Sequence, residues 1–361
     1  GSMIQGLVNQ TLIGYGIQVL DLGFSTTPTV EVAVTQYQAQ GGIIITASHN
    51  PKNWNALKLL NHKGEFINAE DGDSIIEIAD KQDFDFSPVG QLGELISIDG
   101  AIKDHIQMII DLPLVNVEAI RQKKFKIVVD AVNSTGGIAI PMLLELLGVT
   151  TIPIYCNPTG HFPHNPEPLK EHLSVLCDRV VAENADFGVV VDPDVDRLAF
   201  VDENGAVFGE EYTLVACSDY VLSKTPGNTV SNLSSTRALS DVTIKRGGKY
   251  HSSGVGEVNV VEKMKKVKAI IGGEGNGGII YPELHYGRDA LVGVALFLSL
   301  LTENYLKVSE LRNTYPNYAM SKLKISLSEG VDVDLILQTI EKKYADHKPI
   351  TIDGIKIEFE S

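Results

Sequence analysis

The sequence is poor in cysteine and in long apolar runs, which excludes several classes of protein. Its 361 residues include three cysteines, Cys156, Cys177 and Cys217, which are widely spaced and odd in number. This pattern argues against a disulfide framework and favours free thiols in a reducing compartment. The longest apolar run, residues 290–301, is shorter than the ~20 residues that a membrane-spanning helix needs. Because no secretory signal is recognised at its start, we expect a cytoplasmic protein without a membrane partner.

Positive charge is also scarce, since the sequence has 46 acidic and 30 basic residues and a formal net charge of −16. Nucleic acid is therefore not expected as the main partner, because a phosphate backbone requires a basic surface. A small phosphorylated ligand stays compatible with the sequence, since a few local cations can reverse the field around one site. Hydrophobic residues make up 43% and charged residues 21%, which is typical of a soluble globular protein with a sizeable core.

Apolar segments of strand length alternate with longer segments of helical pattern, which predicts an α/β fold. Strands are predicted at residues 42–45, 56–60, 125–130, 187–191, 228–233 and 269–271. Helices are predicted at residues 28–40, 69–81, 98–112, 138–147, 169–183, 212–222, 258–265 and 290–301. We predict three related mixed α/β domains, at residues 1–98, 99–204 and 205–313. Two strands at 321–327 and 355–359 around a helix at 333–344 predict the beginning of a fourth, α+β domain at residues 314–361.

The first polar loop of interest follows the predicted strand at residues 42–45, which we expect to be buried. Ser48 and His49 lie there, and Asn50-Pro51 ends the strand with a turn. Ligands of α/β sheets bind at strand ends, so we predict that Ser48 is the reacting residue. A hydrolase triad is not supported, because the sequence around Ser48 lacks the Gly-x-Ser-x-Gly elbow.

The second loop carries three alternating aspartates, Asp192, Asp194 and Asp196, directly after a predicted strand. In extended geometry these side chains point the same way, and three converging carboxylates repel one another unless a cation lies among them. Oxygen ligands of this kind favour Mg²⁺ or Ca²⁺. Arg197 stands where an EF-hand would need glycine, which argues against that motif. A solvated acidic turn and an aspartyl nucleophile at Asp192, as in haloacid-dehalogenase-type phosphatases, stay open as alternatives.

The third loop, residues 273–278, is rich in glycine but lacks the spacing of a dinucleotide fingerprint or a P-loop. Its Glu274 and Asn276 are suited to sugar hydroxyls, and a flexible turn without a ligand is the alternative. Residues 133–136 are predicted to begin a helix, with Ser or Thr as the N-cap, and phosphate binding through their backbone amides is the alternative. The segment at residues 161–168 has two histidines but no further ligand in register, so we expect a rigid rim rather than a zinc site.

These three loops, at residues 46–51, 192–197 and 273–278 and in this order, closely resemble those of the α-D-phosphohexomutase family. Residues 165–168 and 286–290 are also similar to those of family members. The family includes phosphoglucomutase, phosphomannomutase and phosphoglucosamine mutase. The resemblance implies four domains around a central cleft and a hexose phosphate substrate, with glucose, mannose and glucosamine all open. It implies a phosphoserine that gives its phosphoryl group to the sugar and takes back the other phosphate of a bisphosphorylated intermediate.

The resemblance also implies roles for individual residues. Ser48 would carry the phosphoryl group and, with Asp192, Asp194 and Asp196, would hold Mg²⁺. Arg197 would add positive charge. His49 and Lys58 are candidates for proton transfer, although Ala56 replaces the glycine that usually precedes this lysine. Glu274 and Asn276 would bind the O3 and O4 hydroxyls of the sugar.

Two family motifs are not found in the sequence. No Ser-Gly-x-Arg-Gly or Gly-Arg-Asp-x-Arg motif precedes Ser48, and the phosphate-clamping loop of the last domain is not recognised. The resemblance therefore implies a chain truncated at both ends, with slow or no turnover. A non-catalytic phosphosugar-binding remnant is the corresponding alternative. Incomplete domains expose apolar edges, so homo-oligomerisation or marginal stability is expected.

Overall fold

The computed structural model describes residues 1–48, 50, 54–82, 84–318, 326–327, 330–357 and 359. The first unit consists of the elements from α1 to β4. These are α1 (Ser2–Gly14), β1 (Val19–Asp21), α2 (Thr27–Gln36), β2 (Gly42–Thr46), β3 (Ala56–Leu60), α3 (Ala69–Lys81) and β4 (Leu95–Ser97). β1 pairs in parallel with β4, and β2 pairs antiparallel with β3, so that this unit has two separate two-stranded sheets.

The second unit contains one four-stranded sheet. Its elements are α4 (Ala101–Ile110), α5 (Val117–Lys123), β5 (Lys126–Asp130), α6 (Gly136–Leu146), β6 (Thr150–Ile154), α7 (Ser174–Ala182), β7 (Phe187–Val191) and β8 (Leu198–Val201). The strand order is β6-β5-β7-β8, in which the first three strands are parallel and β8 is antiparallel. Polar loops that follow β5 and β7 therefore emerge at the same edge of the sheet.

The third unit repeats this topology. Its elements are α8 (Glu210–Lys224), β9 (Asn228–Asn232), α9 (Ala238–Lys245), β10 (Tyr250–Ser253), α10 (Glu257–Val267), β11 (Ala269–Glu274), β12 (Gly278–Ile280) and α11 (Ala290–Asn304). The order β10-β9-β11-β12 again joins three parallel strands to an antiparallel one. The prediction of related α/β domains is confirmed. The helices α12 (Val308–Asn313) and α13 (Val333–Lys343) follow.

One hydrophobic core joins the second and third units. Helix α11 is apolar on all sides and is buried along residues 290–302, as such a composition requires. Phe297 of this helix stacks on Phe200 of β8 at a ring-centroid distance of 3.8 Å, and the edges of Phe187 and Phe208 pack against Phe297. The two units are therefore held together by apolar burial as well as by the polar contacts of the loops.

The first unit has a much smaller core, which corrects one expectation. Val34, Ile44 and Leu60 form its buried cluster, and within β2 only Ile44 is buried. The strand before Ser48 was expected to be buried like a central strand. In the part of the chain that the structure describes, β2 has β3 as its one paired neighbour, so much of its surface stays accessible. Several large apolar side chains of this unit are exposed, among them Ile76, Phe86 and Val89.

Other boundaries differ from the predictions in ways that local pattern did not indicate. The helix predicted at 28–40 ends at Gln36, and the one predicted at 169–183 begins at Ser174 after a short 3-10 turn. Several elements were not predicted, namely β4, α5, β6, β8, α9, β10, β12 and α12. Much of the strand predicted at 321–327 lies outside the described residues. In the described part of 355–359 there is an isolated bridge between Ile350 and Lys356 instead of a strand.

Two further observations concern membrane-spanning helices and cysteines in the described residues. No helix in the described ranges has the length and apolarity needed to cross a membrane. The three cysteines are free thiols, as predicted, and burial raises the pKa of the Cys217 thiol.

Candidate active site

The three aspartates predicted to converge do so in the loop between β7 and β8. Asp192, Asp194 and Asp196 are buried, and one carboxylate oxygen from each lies within 4.8 Å of the others. They meet through a turn rather than through strand alternation, because Val195 has a left-handed φ of 67°. The backbone N–H groups of Asp196 and Arg197 both donate to Asp192 Oδ1 at 3.1 Å, which closes the loop around that carboxylate.

Two cations neutralise part of this negative charge. Lys58 Nζ lies 2.7 Å from Asp194 Oδ2 and 3.1 Å from Asp196 Oδ2, and Arg288 Nη2 lies 2.7 Å from Asp196 Oδ2. Burial alone would raise the pKa of Asp196, but Arg288 and Lys58 hold it below its usual range. Burial, with Asp196 and Asp194 adding to it, raises the pKa of Asp192 well above its usual range. The loop therefore still has a surplus of negative charge near Asp192.

The aspartate loop also offers oxygens that suit a metal ion. Asp194 Oδ1 and Asp196 Oδ1 are buried and have no hydrogen-bond partner among the described residues. Buried carboxylate oxygens without a partner are costly unless a cation satisfies them. The group of three aspartates is therefore able to hold a metal ion, and its all-oxygen donor set is that of a hard divalent cation.

Ser48 lies beside this cluster. Its Oγ donates to Asp192 Oδ2 at 3.2 Å, and its backbone N–H donates to Thr46 Oγ1 at 2.9 Å. Ser48 has a left-handed φ of 47°, so the chain bends sharply at this half-buried residue. His49 lies outside the described residues. The structure therefore places Ser48 and Lys58, from the first unit, against aspartates of the second unit.

Helix α2 fastens the two units beside this contact. Thr27 Oγ1 donates to Asp194 Oδ2 at 2.7 Å, and the Thr27 N–H donates to the Asp194 carbonyl at 2.9 Å. Thr26, the neighbouring threonine, is the N-cap and accepts from the N–H of Thr29. Neither threonine was assigned a role in the site from the sequence. A helix needs only one N-cap residue, and two threonines precede Pro28. This pair was the available signal that one of the two threonines has another partner.

Glu274 and Asn276 lie at the β11–β12 turn, next to the aspartate loop. The Leu198 N–H, at the start of β8, donates to the Gly277 carbonyl at 3.2 Å and so joins the two loops. Glu274 was predicted in a loop, but it is the buried last residue of β11. Its Oε1 accepts from Asn232 Nδ2 at 2.7 Å and from the Gly256 N–H at 3.1 Å. Asn276 is half-buried, and its Oδ1 accepts from the Gly278 N–H at 3.2 Å.

Arg288 is a central residue of this site, and sequence reasoning assigned it no role. Its Nη1 lies 2.8 Å from Glu274 Oε2 and its Nε lies 2.8 Å from Glu257 Oε2, in addition to the contact with Asp196. The planar guanidinium thus bridges three buried carboxylates from separate segments. Its segment was noticed only as part of a resemblance, because a single arginine before a helix carries no local signal of its partners.

Arg197 lies at the edge of the same loop. Its Nη1 lies 3.1 Å from Oε1 of Glu167, in the segment at residues 161–168, and its Nε lies 3.9 Å from Asp196 Oδ1. Ser134 Oγ and Thr135 Oγ1 donate to the Pro193 carbonyl at 2.6 and 3.0 Å. Thr135 is the N-cap residue of α6, as expected, but its side chain makes no capping hydrogen bond, and both hydroxyls support the aspartate loop instead.

Comparisons with known proteins agree with this architecture. The three α/β/α domain models of phosphoglucomutase/phosphomannomutase match residues 1–86 (domain I), 103–205 (domain II) and 209–318 (domain III). A phosphoglucomutase/phosphomannomutase from Thermococcus kodakarensis is 34% identical, over 100% of this chain and 79% of that protein. The chain therefore belongs to the phosphoglucomutase/phosphomannomutase family, as the resemblance of its loops implied.

Two further relatives illustrate the range of this similarity. A phosphoglucosamine/phosphogalactosamine mutase from Sulfurisphaera tokodaii is 31% identical, over 99% of this chain and 80% of that protein. A crystal structure of a phosphoglucomutase/phosphomannomutase family protein from Burkholderia thailandensis superimposes with a TM-score of 0.84 at 26% identity. The superposition covers 99% of this chain and 78% of the Burkholderia thailandensis chain.

Proposed function

We propose that this chain is a phosphohexomutase, an isomerase that interconverts hexose 1-phosphates and 6-phosphates through a phosphoserine at Ser48. The observation behind this proposal is the 3.2 Å contact between Ser48 Oγ and Asp192 Oδ2, inside a cluster of buried carboxylates. Phosphoryl transfer depends on positioning and charge neutralisation more than on covalent help. An aspartyl-nucleophile phosphatase is not favoured, because the similar proteins named above are mutases.

Mg²⁺ is the cation that we propose for the aspartate loop. Asp192, Asp194 and Asp196 would hold it together with Ser48. The buried Oδ1 atoms of Asp194 and Asp196, which have no hydrogen-bond partner among the described residues, support this assignment. The ion would neutralise negative charge on the phosphoryl group of Ser48. Arg197 would add fixed positive charge at the edge of the loop, since its Nε lies 3.9 Å from Asp196 Oδ1.

Proton transfer at the sugar hydroxyl is proposed for Lys58 or His49. The location of Lys58 beside Ser48 brings it within reach of this chemistry, because its Nζ contacts two of the aspartates that neighbour Ser48. Although burial alone would lower the pKa of the lysine, these aspartates raise it, which favours its protonated form. Glu274 and Asn276 are proposed to bind two hydroxyls of the sugar ring. Glu274 is already held by Asn232 and Arg288, so a hydroxyl would bind a carboxylate whose orientation is fixed in advance.

The substrate class that we propose is a hexose phosphate with glucose, mannose or glucosamine as the sugar. The relatives named above act, by their names, on glucose, mannose, glucosamine and galactosamine phosphates, which supports the class but not one member of it. Turnover on a panel of these 1-phosphates, measured with the full chain and Mg²⁺, would identify the preferred sugar.

Phosphorylation of Ser48 tests the mechanism directly. The protein is incubated with glucose 1,6-bisphosphate and Mg²⁺, and its intact mass and tryptic peptides are measured. We expect one added phosphoryl group on the peptide with Ser48 and none in Ser48→Ala. Ser134→Ala is the matched control, because this serine also contacts the aspartate loop but should leave labelling in place. A hydroxylamine-sensitive phosphoryl group on Asp192 would contradict the proposal and support the phosphatase alternative.

A further inference from the structure

A second cluster of ionisable side chains lies where all three units meet. His105 belongs to α4, His285 to the segment between β12 and α11, and Asp289 is the N-cap of α11. Glu31 and Thr29, both on α2, pack against the two histidines. His105, Asp289 and Glu31 are almost fully buried. None of these five residues belongs to the aspartate loop or to the sugar-binding turn, and the proposed phosphoryl transfer does not use them.

The spacing of this cluster suits a tetrahedral metal ion. Asp289 Oδ2 lies 3.1 Å from His105 Nε2 and 3.4 Å from His285 Nε2. In a tetrahedral zinc site with bonds of 2.0–2.1 Å, neighbouring ligand atoms lie about 3.3 Å apart. The three candidate ligand atoms all lie within 4.8 Å of one another. Small side-chain shifts would therefore complete the geometry of three protein ligands.

The outer nitrogen of each histidine faces an oxygen on α2. His105 Nδ1 lies 3.0 Å from Thr29 Oγ1, and His285 Nδ1 lies 3.3 Å from Glu31 Oε2. Histidines that bind metals usually donate their other ring N–H to such an oxygen, which leaves the inner nitrogen free to coordinate. Both histidines of this cluster are oriented in that way, with Nε2 directed towards Asp289.

The two carboxylate oxygens of Asp289 have different partners. Its Oδ1 caps α11 by accepting from the N–H groups of Leu291 and Val292 at 2.8 and 3.3 Å. Helix capping therefore does not involve Oδ2, which makes a 3.1 Å hydrogen bond with His105 Nε2 and lies 3.4 Å from His285 Nε2. Hydrogen bonds within the protein also do not satisfy His285 and Glu31. Both ring nitrogens of His285 and both carboxylate oxygens of Glu31 are buried without a well-formed hydrogen bond among the described residues.

We propose that His105, His285 and Asp289 bind a structural Zn²⁺, with Glu31 and Thr29 orienting the histidines. Two nitrogen ligands and one carboxylate select zinc over the magnesium of the aspartate loop. A solvent molecule beside His285, whose side chain is 12% exposed, would complete the tetrahedron. The ion fastens α4 and α11 to each other and, through the outer nitrogens, to α2, so that it holds the three units together beside the cleft.

Metal loading of the full chain tests this proposal. The protein is stripped with a chelator, returned to excess Mg²⁺, and titrated with Zn²⁺ and with Co²⁺ as a spectroscopic probe. We expect one tightly held equivalent of Zn²⁺, a tetrahedral Co²⁺ spectrum and a higher melting temperature. His105→Gln/His285→Gln should lose the equivalent, and Glu31→Gln should weaken binding by about 10–100-fold. His251→Gln, which removes a histidine outside the cluster, should bind like the wild type.

Three outcomes would overturn the proposal. The proposal is overturned if the folded wild-type protein binds no Zn²⁺, whatever the stability of the variants. A histidine double variant that keeps the ion would also overturn it. Binding that is lost in Asp192→Asn but kept in the histidine variant would assign the ion to the aspartate loop. The first measurement needs no variant, so poor folding of a substituted protein leaves the proposal testable.

Discussion

Replacing Arg288 by methionine should destabilise the protein far more than the loss of an ordinary ion pair. Arg288 is buried and its guanidinium contacts Asp196, Glu257 and Glu274 at 2.7 to 2.8 Å. Methionine keeps an unbranched apolar side chain but leaves these carboxylates without their shared cation. Removing one partner of a buried ion pair costs about 3–5 kcal/mol, because a charge is left uncompensated in a poorly solvated place. We expect a loss in free energy of unfolding of about that size.

Urea unfolding followed by far-ultraviolet circular dichroism measures this loss through the midpoint and the slope of the transition. Arg246→Met is the matched control. Arg246 makes one ion pair, from its Nε to Asp219 Oδ1 at 2.6 Å, and its side chain is 37% exposed. Such exposed pairs contribute at most about 1 kcal/mol. The reasoning would be refuted if Arg288→Met lost no more stability than Arg246→Met.

Two further variants separate charge from geometry. Arg288→Lys restores one positive charge but not the planar fork, so it should recover only part of the lost stability. Adding Glu257→Gln to Arg288→Met removes one of the stranded carboxylates and should also recover part of it. Losses that simply add in this double variant would show that the two residues are not coupled, against the 2.8 Å contact between them.

Two other variants test the β11–β12 turn, which is proposed to bind the sugar, and the segment at residues 161–168. Gly277→Ala should weaken hexose phosphate binding, seen as a raised KM, because φ is 89° and a Cβ would overlap the Leu198 carbonyl. Gly160→Ala, with φ of 71° and open space around it, is the control and should leave KM unchanged. Burial alone would lower the pKa of His164, but its hydrogen bond to Asp130 raises it. Its stabilisation is therefore complete below pH ~6.5, the unfolded value, and is lost as pH rises through the folded pKa. The stability difference between wild type and His164→Gln should shrink between pH 5.5 and 8, and a constant difference would contradict this assignment.

Local sequence pattern was sufficient for some of the elements around the site, although not for β8 and β12. β3 and α3 have the predicted bounds, and the serine, aspartate and glycine-rich segments were identified from their residues and order. Strand patterns and breakers act over a few residues, so a single sequence contains them. The need for a cation at the aspartate loop could also be predicted from the sequence, because three closely spaced carboxylates need positive charge nearby wherever they are folded together.

Tertiary structure decided which distant groups supply that compensation. Lys58 reaches Asp194 across 136 positions of sequence, and Arg288 reaches Asp196 across 92. No local pattern distinguishes these cations from others that stay on the surface. The same holds for the contact of Thr27 with Asp194 and for the meeting of His105 with His285.

The sequence by itself thus determined the α/β alternation, the family and the polar residues of the loops. The fold alone decided that β2 is half-buried, that Glu274 is fixed within a strand, and that three units share a buried histidine–carboxylate cluster. Short-range geometry depends on neighbouring residues and is encoded locally. Charge pairing and burial depend on how the units pack, and they are therefore settled only when the whole chain is folded.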